Sequence, residues 1–551
     1  MILWPKAQEF ETLVQEVGPD TPWVIDTETD GLDVRGQDSP CTAKYIGLTP
    51  TGTTLCCVFT STQFETVRPI VESLQLVGHN IRFDVHALNI KPERKPWDTM
   101  CAAYFRHTSG RRSLDHFAKL YGWDKIKTPD LIKQGRIMEL NPHDVAEYLA
   151  DDCVFTARLY GLTRNWADMD FDHRLEQAVQ RMEARGVQLL LPKLKELGHD
   201  IKQRTREAQV KLDTLGAPEN LGSPKQVAGW LQEAGRDLPL TPKGNPSTGK
   251  LVLQQLAERG DEYAGSLLEW RKLIKLTQAF IEPLPKLARG GLLYPSVNTT
   301  RTKTGRFSYS DPNLQQVPKR GPMAARFRHC FTGRSGGVSG ADYSQVELRV
   351  AASLANEPVL LEAFAAGRDP HTEVAAQMLG KRVEDVSPDE RYGAKAVNFG
   401  ILNGMGASRL SVELNSDVGA ARTFLDDYRR SLHHLTEWME GVWRDAEADQ
   451  VARTVSGRTR IFSNEDETRP AISVIVQGSA AELMRHALIR VDEAGLKPIL
   501  VVHDEIIVDG LDKGDEVATI MREAANQAYP EVFGNVDFTA EGGSGPTWAH
   551  V

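Results

Sequence analysis

The chain has 551 residues, of which 41% are hydrophobic and 25% charged. That length exceeds one hydrophobic core and implies about three to five domain-sized units. The ordinary globular composition excludes a disordered, collagenous or disulfide-stapled protein. No run approaches the roughly 20 apolar residues of a membrane span, and the start, Met1-Ile-Leu-Trp-Pro-Lys6, lacks the basic and apolar regions of a secretory signal. Cys56 and Cys57 are adjacent and no Cys-x-x-Cys pair occurs, so neither zinc nor a disulfide framework is indicated and a cytoplasmic location is expected.

With 65 Lys and Arg against 75 Asp and Glu, the net charge of −10 argues at first against a nucleic-acid partner. The charge is uneven, however. Between Lys286 and Arg334 ten basic residues, among them Arg306, Lys319, Arg320 and Arg328, face the single acid Asp311, so that segment carries +9 and the remainder −19. A basic stripe on an acidic body is either a polyanion-binding surface or a solvated basic loop.

In chain order, residues 1 to about 170 alternate short apolar runs with helical stretches and read as α/β. Trp23-Val-Ile-Asp26-Thr-Glu28 is a buried strand running into acids, and strand alternation points Asp26 and Glu28 to one face. Like charges so placed repel unless a cation sits between them. Asn80 and Asp84, four apart, share a helical face, as do Tyr148 and Asp152. Each acid alone is an ordinary surface residue. Together, Asp26-x-Glu28, Asn80-x-x-x-Asp84 and Tyr148-x-x-x-Asp152 resemble the three motifs of the DEDD-type 3′–5′ exonucleases, in the subclass with tyrosine in the last motif. The resemblance implies a ribonuclease H-like domain over residues 1–170, two Mg²⁺ ions held by Asp26, Glu28, Asp84 and Asp152, and Tyr148 orienting the attacking water.

From about 172 to 290 the pattern is helical, with Leu175, Val179 and Met182 at helical spacing and a Gly/Pro-rich loop at Pro239–Gly249. Residues 291–551 mix strands and helices. Gly336 to Asp342 reads as a strand ending at an acid, followed by a helix that Ser344-Gln-Val-Glu347 opens with capping-box spacing. On that reading Glu347 merely caps the helix. Arg391, Lys395 and Phe399 lie at i, i+4 and i+8, so a helix stacks them into one stripe. The stripe fits the phosphates and the base or sugar of a nucleotide, or equally a solvated cationic face beside a core Phe. Lys497 to Asp509 reads as a hairpin whose three-residue polar tip is His503-Asp504-Glu505. The tip acids are either ordinary exposed residues or partners of Asp342 around a divalent cation.

These segments, with Thr304-Gly-Arg306, Asp311 to Pro318 and Gln477 to Glu482, resemble the family A DNA polymerases in motif order, with the exonuclease upstream. The resemblance implies a right-hand polymerase domain over 171–551: thumb 172–290, palm 291–355 and 470–551, fingers 356–469. Asp342 and Asp504 would hold two Mg²⁺, for which Mn²⁺ can substitute, and main-motif Tyr343 would join that shell. Arg391 and Lys395 would neutralise the triphosphate, Lys395 also protonating the leaving group. His371 would touch the triphosphate, Phe399 the incoming sugar, and Glu347 would gate against a 2′-hydroxyl, with Tyr343 and Gln345 lining the substrate. Arg306, Arg469, Gln477 and His503 would contact primer, template or the nascent pair, and Arg271 and Lys275 would grip DNA from the thumb. Seven acids, Glu505 among them, fall at metal-site positions in two clusters.

Two departures stand out. Asn403 replaces the usual Tyr four residues after Phe399, and Ser473 stands where Asn is common. The expected partners are primer-template DNA and dNTPs for a monomer that has no membrane span, no leading 5′-nuclease domain and no inserted processivity-factor site. Such compact polymerases are common in bacteriophages, which would place the protein in the host cytoplasm. Two alternatives compete: an exonuclease whose polymerase half only binds DNA, and a single-subunit RNA polymerase, against which Glu347 and the proofreading domain argue.

Overall fold

The structure is a computed structural model that describes residues 1–551 apart from 37, 38, 40, 109, 166–168, 242, 320, 322, 415, 465 and 466. Arg320 of the basic stripe and Pro242 of the predicted loop therefore lie outside the described residues.

The N-terminal unit is built on a six-stranded mixed sheet of β1 (Ile2–Leu3), β2 (Trp23–Thr29), β3 (Ala43–Pro50), β4 (Cys56–Thr60), β5 (Leu76–Gly78) and β6 (Trp97–Asp98), in the order β1-β4-β3-β2-β5-β6. Alternation along central β2 divides its side chains between two cores. Trp23 and Ile25 join Phe10, Ile46 and Phe64 on one face. Val24 joins Val58, Val145 and Leu149 on the other, and Asp26 and Glu28 follow Val24 onto that second face. Helix α3 (Pro142–Thr163) covers this face. It is started by Pro142 and by Asn141, whose side chain accepts from the His143 N–H. Gly47, paired with Asp26 across the sheet, lets α3 come close, since a Cβ there would fall 2.8 Å from Leu149 Cγ and 2.9 Å from Cys153 Sγ. Helices α1 (Ile81–Leu88) and α2 (Thr99–Arg106) follow β5 and β6, and the helices Ala7–Val17 and Ser61–Ser73 cover the sheet's first face.

The second large unit centres on an antiparallel sheet of β7 (Val338–Tyr343), β8 (Pro498–Val502), β9 (Glu505–Asp509) and β10 (Ala540–Gly545), in the order β8-β9-β7-β10. Helix α4 (Asp170–Arg185), the long helices α5 (Leu191–Thr214) and α6 (Glu262–Leu276), and α7 (Val346–Ala355) lead in and around it. Then come α8 (Pro370–Leu379), α9 (Pro388–Leu402), α10 (Ala471–Glu493) and α11 (Gly514–Ala528). Helix α11 backs the sheet and α10 packs on α11. Leu175, Val179 and Met182 of α4 share one core with this sheet, so α4 is rooted on it. The Gly/Pro-rich loop connects helices Pro224–Glu233 and Lys250–Glu258, as expected.

The units are bound firmly to one another. The Tyr104 hydroxyl donates to the Thr302 carbonyl at 2.7 Å, and the Thr108 N–H donates to the Thr459 carbonyl at 2.8 Å. Arg82, next to the acid-bearing turn of α1, pairs with Glu176 at 2.8 Å and Glu183 at 3.4 Å on α4. Arg458 is fully buried between Glu482 at 2.7 Å and Asp172 at 3.1 Å, with its guanidinium over the rings of Tyr104 and Phe105. A buried cation paired on both sides is destabilised by loss of either partner, which makes this joint stiff.

Three local expectations are corrected. Asn80 does not share a helical face with Asp84, because it is the left-handed N-cap of α1 (φ 67), one residue outside the helix. The capping box at Ser344 does not form. Helix α7 starts one residue later, behind Gln345 in a left-handed conformation (φ 56), and Glu347 turns instead to an arginine. The hairpin tip is two residues long, not three, since Val502 pairs with Glu505 and His503 makes the turn at φ 55.

Candidate active sites

In the N-terminal cleft the two same-face acids of β2 meet Asp84 from α1 and Asp152 from α3. Thr27 Oγ1 donates to Asp84 Oδ1 at 2.7 Å and fixes that carboxylate against the strand. Burial and the neighbouring Asp152 and Asp84 push Glu28 up to about 8. Burial pushes Asp84 up to about 7 against the Thr27 hydrogen bond, and raises Asp152 too. Asp26 is raised well above the usual carboxylate range by burial and by Asp84, Asp152 and Glu28. Four acids that suppress one another's ionisation in a buried cleft need positive charge to be stable when ionised. The residues present supply one such charge, which the sequence reading missed. Lys125 Nζ lies 2.6 Å from Asp152 Oδ1. The Tyr148 hydroxyl shares a hydrogen bond of 3.1 Å with Thr128 Oγ1. An all-oxygen, multiply anionic set is the chemistry that hard divalent cations bind, so the residues fit such an ion. Among the described residues, no three acids already stand in ligating arrangement.

In the C-terminal unit, Asp342 at the end of β7 stands beside the β8–β9 tip, where the Tyr343 N–H donates to the Asp504 carbonyl at 3.0 Å. Asp342 Oδ1 is buried and accepts no hydrogen bond, while its Oδ2 is 2.8 Å from Lys319 Nζ. Burial raises Asp504, with Asp342 adding to the effect and Arg306 and Lys319 opposing it. Two neighbouring carboxylates, one with an orphaned oxygen, again fit a divalent cation. Glu505 is otherwise engaged. Its Oε2 pairs with Arg328 at 3.2 Å and its Oε1 accepts from Trp548 Nε1 at 3.1 Å, so it stands apart from the open acid pair. Tyr343 buries its ring and donates its hydroxyl to the Met521 carbonyl at 2.6 Å, leaving only its main chain beside the acids. The Gln345 Oε1 is buried without a partner.

Helix α9 carries the expected stripe. Arg391 is held by both oxygens of Asp369, at 2.8 and 3.1 Å, and Asp369 is itself fixed as the N-cap of α8. Lys395 and Phe399 line a cavity of about 550 Å³ with Tyr392, Asn403 and Arg409. His371 is buried beneath Phe399, their ring centres 5.6 Å apart. Its Nδ1 meets Asn398 Nδ2 at 2.9 Å, and burial lowers it to about 4, which keeps the ring neutral. A second cavity, of about 290 Å³, joins Arg306, Gln315, Gln477, His503 and Asp504. Arg306 is ion-paired with Glu347. The two departures meet at one place: Gln477 donates to Asn403 Oδ1, and Ser473 Oγ donates to the Leu402 carbonyl at 3.0 Å.

The remaining predicted contacts lie elsewhere. Arg469 is exposed just ahead of α10, and Lys275 is exposed on α6. Arg271 spends its guanidinium on the Thr248 carbonyl at 2.8 Å and the Leu221 carbonyl at 3.5 Å, bracing loops of the helical arm. Of the residues missed, Asp369 was signalled by the Asp-Pro start of a helix. Lys125 had no sequence signal, because only folding brings it to Asp152.

An exonuclease-type α/β domain thus precedes a polymerase-type domain, each with its own acid cluster. Residues 4–164 match the 3′-5′ exonuclease family, and residues 191–550 match DNA polymerase family A. The chain belongs to the family A DNA polymerases. It is 35% identical over 406 residues to the thermostable DNA polymerase I of Thermus thermophilus, covering 70% of this chain and 48% of that protein. It is 31% identical over 493 residues to DNA polymerase I of Pseudomonas aeruginosa, covering 80% and 53%. The chain spans about half the length of these curated relatives. Its fold is similar to the POL domain of Pol1 from M. smegmatis in complex with DNA primer-template and dNTP, with a TM-score of 0.83 and 24% identity over 100% of this chain and 99% of that one. Domains of both families depend on divalent metal ions. Among the described residues, no helix is long and apolar enough to cross a membrane.

Proposed function

We propose that the chain is a DNA-directed DNA polymerase with 3′–5′ proofreading, extending a primer from dNTPs with release of pyrophosphate. The reading takes 1–170 as the exonuclease domain, 172–290 as thumb, 291–355 with 470–551 as palm and 356–469 as fingers. The observation that carries it is Asp342, with its unpartnered Oδ1, beside Asp504 at the hairpin tip, in a chain that also presents the Arg391–Lys395–Phe399 stripe on α9. Two Mg²⁺ in each site, with Mn²⁺ as a substitute, would activate the attacking oxygen and stabilise the leaving one.

The chain's own residues do the rest. Asp342 and Asp504 would hold the divalent ions at which the primer end and the triphosphate meet, since the carboxylates alone repel the triphosphate. Arg391 exchanges Asp369 for phosphate oxygens as a nucleotide arrives, since its fork fits either partner. Lys395 places a second charge on the triphosphate and donates a proton toward the departing pyrophosphate. Phe399 packs on the sugar over neutral His371, and Glu347, held by Arg306, fills the space a 2′-hydroxyl would need. In the cleft of the N-terminal domain, Tyr148 orients water toward a 3′-terminal phosphodiester beside the four acids. The protein would act as a monomer on primer-template DNA, in the cytoplasm, without an inserted processivity-factor site.

The test is a labelled primer on a longer template, with Mg²⁺, with and without dNTPs. Extension with dNTPs and stepwise shortening without them is expected. If both lanes shorten, the assay is repeated with Asp26→Ala, which disables the nuclease site: extension gained there supports the polymerase assignment, and a primer neither shortened nor extended would overturn it.

A further inference from the structure

Lys125 is placed where the reaction above gives a lysine no task. Its side chain is 5% exposed, and its ammonium is within ion-pair reach of two carboxylates of opposite character. One is the inner Asp152 Oδ1, at 2.6 Å. The other is Asp115, at 3.2 Å, whose side chain is 65% exposed in the first turn of the helix Leu114–Leu120 and which belongs to neither acid cluster. The same ammonium lies 5.0 Å from the centre of the Tyr148 ring, so it touches both the acid and the tyrosine of the last exonuclease motif. Among the described residues, Lys125 is therefore the positive charge inside a cluster of four acids, shared with an acceptor at the rim.

We propose that Lys125 is a resident counter-ion of the exonuclease site, a positioning residue that holds Asp152 when no divalent ion is bound and passes to Asp115 when one enters. The inference rests on the reading of the four acids as a divalent-metal site. One ammonium offsets one charge of four, whereas a divalent ion among several oxygens offsets two, so the ion wins the inner carboxylate. The displaced ammonium needs somewhere to go, because a buried unpaired cation is strongly unfavourable. Asp115 supplies that place already within reach, so the exchange requires a swing of the flexible four-carbon stem and no movement of the backbone. Lys125 thus keeps the empty cleft from opening under its own repulsion, and metal affinity is set by competition with it.

The test is Mn²⁺ binding, measured by electron paramagnetic resonance of the free ion, in the full chain carrying Asp342→Asn and Asp504→Asn to silence the polymerase acids. Adding Lys125→Met should tighten the Asp26-dependent site roughly tenfold and lower the metal-free melting midpoint, which Mn²⁺ should then restore. Lys125→Arg should bind like the parent. Asp115→Asn, an exposed change with no folding burden, should weaken Mn²⁺ binding by keeping the ammonium on Asp152. Unchanged or weaker binding in Lys125→Met with the Asp26-dependent site present overturns the counter-ion role alone. If Lys125→Met does not fold, Asp115→Asn decides, and affinity equal to the parent overturns the proposal. Absence of any Asp26-dependent Mn²⁺ site in the parent overturns the metal reading itself.

Discussion

The two acid clusters handle the same electrostatic problem in opposite ways. In the polymerase-type domain the acids around the active strand end are matched with basic side chains: Lys319 on Asp342, Arg306 on Glu347 and Arg328 on Glu505. All three cations come from the basic stripe between Lys286 and Arg334, which therefore supplies counter-charge to these acids. In the exonuclease-type cleft four acids share one lysine, and Asp26, Glu28, Asp84 and Asp152 are all raised. The difference teaches that the first site has cations on several of its acids and leaves Asp504 and one oxygen of Asp342 open, whereas in the second, among the described residues, one lysine faces four acids.

The largest effect that can break this comparison is loss of one cluster without the other. Asp342→Ala is expected to reduce primer extension by roughly 10⁴-fold, the scale of losing a central catalytic group, and to leave primer shortening intact in the same gel assay. Loss of both activities would mean that the clusters do not act separately. Arg391→Ala should lower dNTP incorporation by roughly 10²-fold, as expected for removing one charged donor from a transferring phosphoryl group. Asp369→Asn, which frees Arg391, should instead be tolerated in single-turnover assays. Glu347→Ala should relax discrimination against ribonucleotides by roughly 10²-fold in competitive incorporation, and unchanged sugar selectivity would remove Glu347 as the gate.

Metal removal sharpens the contrast through pH. Glu28 rises from its ordinary 4.5 to about 8 in the folded, metal-free chain, so the native state binds more protons than the unfolded one across that interval. Stability of the exonuclease-type domain should therefore fall as pH rises from about 4.5 to 8, and divalent ion should abolish the slope. Melting curves in chelator across that range check this, and a flat profile would mean that Lys125 alone balances the cleft. The smallest expected effect is at the domain joint. Tyr104→Phe, which removes the hydrogen bond to the Thr302 carbonyl, should cost about 1 kcal/mol, without changing the ratio of the two activities.

Legibility followed how local the signal was. The same-face pair on β2, the stripe on α9 and the heptad-scale burial of Leu175, Val179 and Met182 are set by periodicity within one element, and all three stand as read. The capping box at Ser344 was misread because its spacing is only a local propensity. Arg306, some 40 residues upstream, draws Glu347 into an ion pair, and α7 begins a residue later. The hairpin tip was overcounted for a similar reason: Glu505 looks polar in sequence, yet Arg328 and Trp548 make it a satisfied strand residue. The Asn403 departure reads from sequence as a missing ring, while the fold shows what replaces it, a polar contact from Gln477 at the end of α9.

By itself the sequence determined the order of the motifs and the identity of the acids, because these depend on residue type and on spacing within single strands and helices, and the family resemblance those motifs carry implied the fold class. Only the tertiary structure decided the charge partners. Lys125 reaches Asp152 across 27 positions, Lys319 reaches Asp342 across 23, and Arg328 reaches Glu505 across 177. Contacts of that kind have no period to read. They follow from which faces of separate elements are buried against each other, and burial is what makes each unpaired charge expensive enough to require its partner.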